Sequence, residues 1–118
     1  MKQKEILVVE DIGGVKVLHL KGPLDLETAP RVKPRLFELA KKPHCRIVLD
    51  LENASYISSF GLSLLLQVND QVKSVNGRLA LAAPHPFAKQ VFDTTRLESV
   101  FTFFETVEAA LKAMANVG

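Results

Sequence analysis

A single cysteine, Cys45, cannot close a disulfide within the chain. No internal bridge staples the fold, and a reducing compartment is the expectation. Cys45 opens an apolar run and reads as a small buried residue. Charge of one sign is also missing: 15 Lys and Arg face 13 Asp and Glu, for a net +2. The basic residues are scattered, and none alternates with aromatics, so there is no nucleic-acid footprint. Arg31, Lys33 and Arg35 read as a solvated helix face. No apolar run approaches the roughly 20 residues of a membrane span. Met1 to Glu5 leads into a strand pattern rather than a signal-peptide core. The expectation is a cytoplasmic protein with no membrane insertion. Catalytic patterns are absent too. His19, His44 and His85 lack a second ligand at metal spacing, and neither H-E-x-x-H nor a glycine-rich phosphate loop occurs. His44 and Cys45 read as strand neighbours with side chains on opposite faces, unsuited to share a metal. No G-x-S-x-G elbow is present. No catalytic residue, metal or cofactor is expected, and the chain does not read as an enzyme.

What is present is a well-patterned globular sequence. Its 118 residues, 47% apolar and 24% charged, fit one domain over 1–118 that can bury a core unaided. Ile6-Leu7-Val8-Val9 reads as a strand. Gly13-Gly14 is a turn, and Val15, Val17, Leu18 and Leu20 form a second strand, which implies an antiparallel hairpin. Gly22-Pro23 ends it. Thr28 is placed to cap a helix with Pro30 in its first turn. Val32, Leu36, Phe37, Leu39 and Ala40 supply its apolar face. Pro34 would remove an interior hydrogen bond, which predicts a late start or a bend.

Arg46 to Leu51 reads as a central strand buried on both faces. After Gly61 a helix carries Leu62, Leu65, Val68, Val72 and Val75 inward, with Ser63, Gln67, Asp70 and Ser74 on a polar stripe. Leu64 and Leu66 widen its apolar arc beyond what one sheet face needs. Asn76-Gly77 closes it, with Gly77 suited to a left-handed end. Leu79 to Ala83 is a strand, and Pro84-His85-Pro86 a rigid loop. Phe87 to Thr95 is a helix with Val91 and Phe92 inward. Val100 to Phe104 is a short last strand. Thr106 caps a final helix bearing Val107, Ala110, Leu111 and Met114. The order β-β-α-β-α-β-α-β-α predicts an α/β fold: a mixed sheet of about four or five strands, opening with a hairpin, with about four helices packed on it.

The most informative stretch is Tyr56-Ile57-Ser58-Ser59-Phe60-Gly61-Leu62. Two serines stand at the mouth of an apolar helix. A serine oxygen caps the free N–H groups of a helix start, and the same place attracts anions because those groups and the helix dipole point outward. A phosphate there would add about −1.5 to −2 charge to a site suited to hold it. Capping alone also accounts for the pair, and both readings stay open on local sequence.

A different resemblance is rejected on the residues. Ile6 to Asp11 is similar to the first strand and acidic pair of receiver domains, with Asp50 as phosphoacceptor. A receiver needs a helix after that pair, where this chain has Gly13-Gly14 and another strand. Leu79 to Ala83 also lacks the lysine that follows such a strand.

Four segments, in order, resemble STAS domains, the sulfate-transporter and anti-sigma-factor-antagonist family. Gly22 to Pro30 is similar to the G-x-L-D-x-x-x-A-P loop. Ile47 to Leu51 with Tyr56 to Leu62 is similar to the central strand and phosphorylation loop. Asp93 to Phe101 and Glu105 to Leu111 resemble the third-helix exit and last helix. The resemblance implies a stand-alone anti-sigma factor antagonist, a non-catalytic binding protein. It would bind a serine-kinase anti-sigma factor and release a sigma factor. ATP-dependent phosphorylation by that kinase would end binding, and a PPM-type phosphatase would restore it. The family loop is Asp-Ser-Ser/Thr-Gly. Alignment on Gly61 puts Ser58 at the aspartate, Ser59 at the phosphoacceptor and Phe60 at the second hydroxyl. Ser59 is therefore the implied phosphorylation site, with Ser58 second. The implied partner surface is Asp25, Ser58, Ser59, Phe60, Gly61 and Ser63. Phe60 is either an exposed anchor or a core residue beneath the loop. The alternative function is a STAS scaffold that is never phosphorylated, in a stress-signalling assembly or beside a membrane transporter.

Overall fold

The structure, a computed structural model, describes residues 5–115. It opens with the hairpin β1 (Leu7–Ile12) and β2 (Val15–Leu20). Ile12 pairs with Val15, so the turn holds two residues. Gly13 and Gly14 have φ of +59° and +84°, and only a residue without a side chain adopts two consecutive positive φ values at little cost. There follow α1 (Ala29–Ala40), β3 (Arg46–Asp50), α2 (Ser59–Ser74), β4 (Arg78–Ala82), α3 (Pro86–Thr94), a 3-10 turn (Leu97–Ser99), β5 (Thr102–Phe104) and α4 (Val107–Ala115). The sheet order is β1-β2-β3-β4-β5. Only the first pair is antiparallel. The predicted mixed sheet, opening hairpin and four helices are all present.

Strand alternation divides the core in two. Leu18, Leu20, Ile47, Leu49, Leu79 and Leu81 face one way, under α1, α2 and α3. Val15, Val17, Val48, Ala80 and Ala82 face the other way, under Ala110 and Met114 of α4. β3 is thus covered on both sides, as its continuous apolar run predicts. Leu64 is buried against the same core as Leu36 and Leu39. The widened arc of α2 is explained by its packing on α1 as well as on the sheet. Ser63, Gln67, Asp70 and Ser74 are exposed, as their stripe predicts. At the far end of the sheet, Arg46 Nη1 donates to the Met114 carbonyl at 3.2 Å, tying the last turn of α4 to the start of β3.

Several local expectations are corrected. α1 does not start late: it runs from Ala29 with Pro34 inside it. Burial of Val32, Leu36, Leu39 and Ala40 on one face outweighs one lost hydrogen bond. Thr28 sits at the N-cap position but makes no side-chain cap bond. Its hydroxyl instead donates to Pro23 O at 2.7 Å and accepts the Asp25 N–H at 2.9 Å. Thr106 does cap, accepting the Ala109 N–H at 3.0 Å. β5 begins at Thr102, not Val100, because the 3-10 turn occupies the preceding residues. Val75 is the half-buried C-cap of α2 rather than part of its inward face. His44 is not on a strand: it has φ +56° and precedes β3. Cys45 is half-buried, and burial raises its thiol pKa.

At the end of α2 the left-handed residue is Asn76, φ +57°, not Gly77. Gly77 is needed for space. A Cβ there would lie 2.6 Å from Cys45 Sγ and 2.8 Å from Cys45 O. Gly77→Ala is expected to destabilise the protein by about 1–3 kcal/mol through overpacking, read as a lower urea midpoint at unchanged slope.

Candidate functional site

Three parallel strands end on the same side of the molecule and deliver three loops there: 21–28 after β2, 51–58 after β3 and 83–85 after β4. The first two are stitched together. Leu24 N–H donates to Tyr56 O at 2.8 Å, and Ser58 N–H to Leu24 O at 2.9 Å, forming an isolated parallel bridge between Leu24 and Ile57. Leu24 and Ile57 are buried beneath it. The third loop is held by the His85 N–H on Leu51 O at 3.3 Å.

This frame aims the start of α2 outward. Ser58 is half-buried with extended backbone, and its Oγ accepts the Gly61 N–H at 3.4 Å. It is the helix cap. Ser59 is the exposed first residue of the helix, and no hydrogen bond among the described residues engages its hydroxyl. The N–H groups of Gly61 and Leu62 are taken by Ser58 Oγ and Ser58 O. Those of Ser59 and Phe60 stay open at the positive end of a 16-residue helix. The two serines therefore divide the two roles that the sequence left open between them.

Gly61 is buried and acts by close approach: a Cβ there would stand 2.5 Å from Leu24 O. Asp25 is half-buried. Its Oδ1 accepts the N–H groups of Glu27 and Thr28, each at 3.0 Å. The Thr28 N–H first, then those further bonds, outweigh a small burial penalty and hold the carboxyl below the usual carboxylate range. Asp25 is thus the device that shapes the entry to α1. Ser63 is exposed and accepts a hydrogen bond from Gln67 Nε2 at 3.2 Å.

Phe60 is 53% exposed, so it is not a core residue beneath the loop. Leu26 at 62% and Tyr56 at 53% are likewise exposed, on the two stitched loops. Sequence reading did not place Leu26 or Tyr56 on the partner surface; a large apolar residue in a polar loop was the available signal. Between the first turns of α1 and α2 runs a groove of about 270 Å³, whose lining includes Leu26, Pro30, Lys33, Phe60, Ser63 and Gln67. Lys33 places one cation at its side. Among the described residues no cluster of His, Cys, Asp and Glu could hold a metal ion, and no helix is long and apolar enough to cross a membrane.

Known proteins resemble this chain in sequence and fold. BtrV of Bordetella bronchiseptica is 33% identical over 107 residues, spanning 91% of this chain and 92% of that protein. An anti-sigma factor antagonist from Mycobacterium paratuberculosis, solved by crystallography, is 27% identical with a TM-score of 0.82, over 93% of each chain. The anti-sigma factor antagonist SpoIIAA shares the fold in two solved forms. The unphosphorylated form has a TM-score of 0.70 at 20% identity, over 94% of this chain and 99% of that one. The phosphorylated form, from Bacillus, has a TM-score of 0.69 at 23% identity, over 91% and 97%. A family profile described as STAS domain matches residues 7–110, from the opening strand to the last helix. With that span, and with the loop after the central strand delivering its serines to the helix mouth, the chain belongs to the STAS domain family.

Proposed function

We propose that this protein is an anti-sigma factor antagonist that binds a serine-kinase anti-sigma factor through the rim formed by the loops after β2 and β3, and that phosphorylation of Ser59 ends the binding. One observation carries the reading. Ser59 is exposed, its hydroxyl is unengaged, and it stands at an open helix N-terminus beside exposed Leu26, Tyr56 and Phe60. A kinase can reach that hydroxyl only from the face a partner would cover. The product phosphate finds two open N–H groups and the helix dipole to hold it. The same dianion meets a docked apolar surface with a desolvation cost and repels any acidic group there. A PPM-type phosphatase can reach the phosphoserine from solvent once the partner has left. The mycobacterial antagonist and SpoIIAA, which exists in a phosphorylated form, supply the precedent. Under this reading the protein performs no chemistry itself; ATP is consumed by its partner. Phe60, in place of a second hydroxyl, adds a rigid apolar anchor of the kind that dominates interface energetics.

The test uses the serine kinase retained on the immobilised protein, incubated with radiolabelled ATP. Label is expected on wild type and on Ser58→Ala, and a fall to background on Ser59→Ala. Label that persists on Ser59→Ala overturns the assignment. Retention of other STAS proteins or transporter subunits, with no kinase, favours the scaffold alternative.

A further inference from the structure

The face of the sheet that carries α4 also carries a polar cluster outside the exposed rim. His19 on β2 lies between Glu10 on β1 and Asp50 on β3. His19 and Asp50 are register partners across the parallel ladder. Glu10 is diagonal to His19, since it pairs with Val17. His19 Nδ1 lies 2.6 Å from Asp50 Oδ2, and His19 Nε2 contacts Glu10 Oε1. Asp50 is buried, at 7% exposure. Its other oxygen, Oδ1, accepts the Glu52 N–H at 3.0 Å. Glu52 is the second residue of the 51–58 loop, which ends at Ser58 and leads into Ser59. An unbroken line of contacts therefore runs from β1 through the imidazole to the root of that loop.

A neutral imidazole has one N–H. It can satisfy one carboxylate and must turn a lone pair on the other. Only the imidazolium donates to both, and only it supplies a countercharge for a buried carboxylate. We infer that His19, acting through Asp50, is a positioning residue for the loop that presents Ser58 and Ser59, and that it positions the loop best as the imidazolium. This deepens the proposed function, because it concerns regulation of the same loop.

The groups that bear on the ring are few. β1 contributes Glu10, β3 contributes Asp50, and α4 turns Val107, Ala110, Leu111 and Met114 to this face. Partial burial favours the neutral ring. The hydrogen bonds and charges of Asp50 and then Glu10 outweigh it and raise the His19 pKa above the ordinary imidazole value of 6.5. With the folded value raised, the contribution is complete below about 6.5 and is lost as pH climbs through the folded pKa. On deprotonation a single N–H stays with one acid. Glu10, the solvated one, is released, and Asp50 is left without a cation.

The experiment is an NMR titration of the protein alone, following the His19 ring and the amides of residues 51–59, with amide exchange expressed as protection factors. It needs no kinase, so it stands or falls separately from the proposed function. In wild type, the Glu52 amide shift is expected to titrate with the His19 midpoint, above the ordinary imidazole value. Its protection is expected to fall on the order of threefold to tenfold across that midpoint. His19→Gln keeps a donor for Asp50 but no charge, and is expected to abolish the pH dependence. Glu10→Gln removes only an exposed partner, so it keeps the test open if His19→Gln does not fold. It is expected to shift the ring and loop midpoints down together. A loop whose amides ignore the His19 titration, or a ring midpoint unmoved by Glu10→Gln, overturns the inference.

Discussion

Gly61→Ala is expected to be the most damaging single-atom change at the rim. The new Cβ would stand 2.5 Å from Leu24 O, 3.0 Å from Leu24 Cγ and 3.1 Å from Ile57 Cγ2. Leu24 O is backbone, and it already accepts the Ser58 N–H. It cannot step aside as a flexible side chain could. Alanine is the better helix former by about 1 kcal/mol, but overpacking of a tight core costs about 1–3 kcal/mol, and here two buried side chains crowd the same point. That crowding puts the cost at the upper end, about 2–3 kcal/mol, so the net expectation is a loss of about 1–2 kcal/mol, a sizeable share of the ordinary 5–15 kcal/mol total. Relief would require α2 to lift from the Leu24–Ile57 bridge, so the serines should move as well. Denaturant unfolding measures the first effect. Amide shifts confined to residues 22–28 and 56–63 measure the second. A Gly61→Ala protein as stable as wild type would show that this approach is not tight.

Ser59→Glu is expected to weaken the complex with the proposed anti-sigma kinase by about tenfold to a hundredfold, or about 1.4–2.8 kcal/mol. A carboxylate at the first position of α2 suits the free helix, which gains a few tenths of a kcal/mol up to about 1 from the dipole. The variant should therefore be at least as stable as wild type while binding less well. That combination separates loss of docking from loss of fold. Ser58→Glu should behave in the opposite way. It removes the cap, costing about 1 kcal/mol of stability, and leaves Ser59 unmodified. Titration calorimetry of both variants against the kinase, with melting curves alongside, distinguishes them. Equal affinity of Ser59→Glu and wild type would remove the switch from the account.

Much of the fold was legible because long segments kept one period. Alternation in β2 and the three-four spacing in α2 give the element order without any tertiary information. What failed locally did so where packing and local rules disagree. Proline rules argue against α1 starting before Pro34, but Val32, Leu36 and Leu39 need the helix to reach the core. Capping rules give the left-handed residue to Gly77. The close pass of Cys45 demands glycine there, and Asn76 accepts the strained angle. At the site, Ser58, Ser59 and Gly61 were readable from the strand–loop–helix pattern. The exposure of Phe60 was not, because an aromatic at the second position of a helix fits a core as well as a surface. His19 was illegible for a plainer reason. Its two acids lie nine and thirty-one residues away, and only the sheet register brings them to it.

The Leu24–Ile57 bridge makes one mechanical body of two loops that are far apart in sequence. Leu26 rides on one side of that joint and Ser59 on the other. A partner that grips Leu26 therefore biases the posture of Ser59, and a change at Ser59 is returned to Leu26 with the same coupling free energy. Under the proposed function, docking and modification would act on each other in both directions, and the surface that recruits the kinase would also ready the hydroxyl it modifies. A phosphate on Ser59 would then not need to touch every contact it weakened.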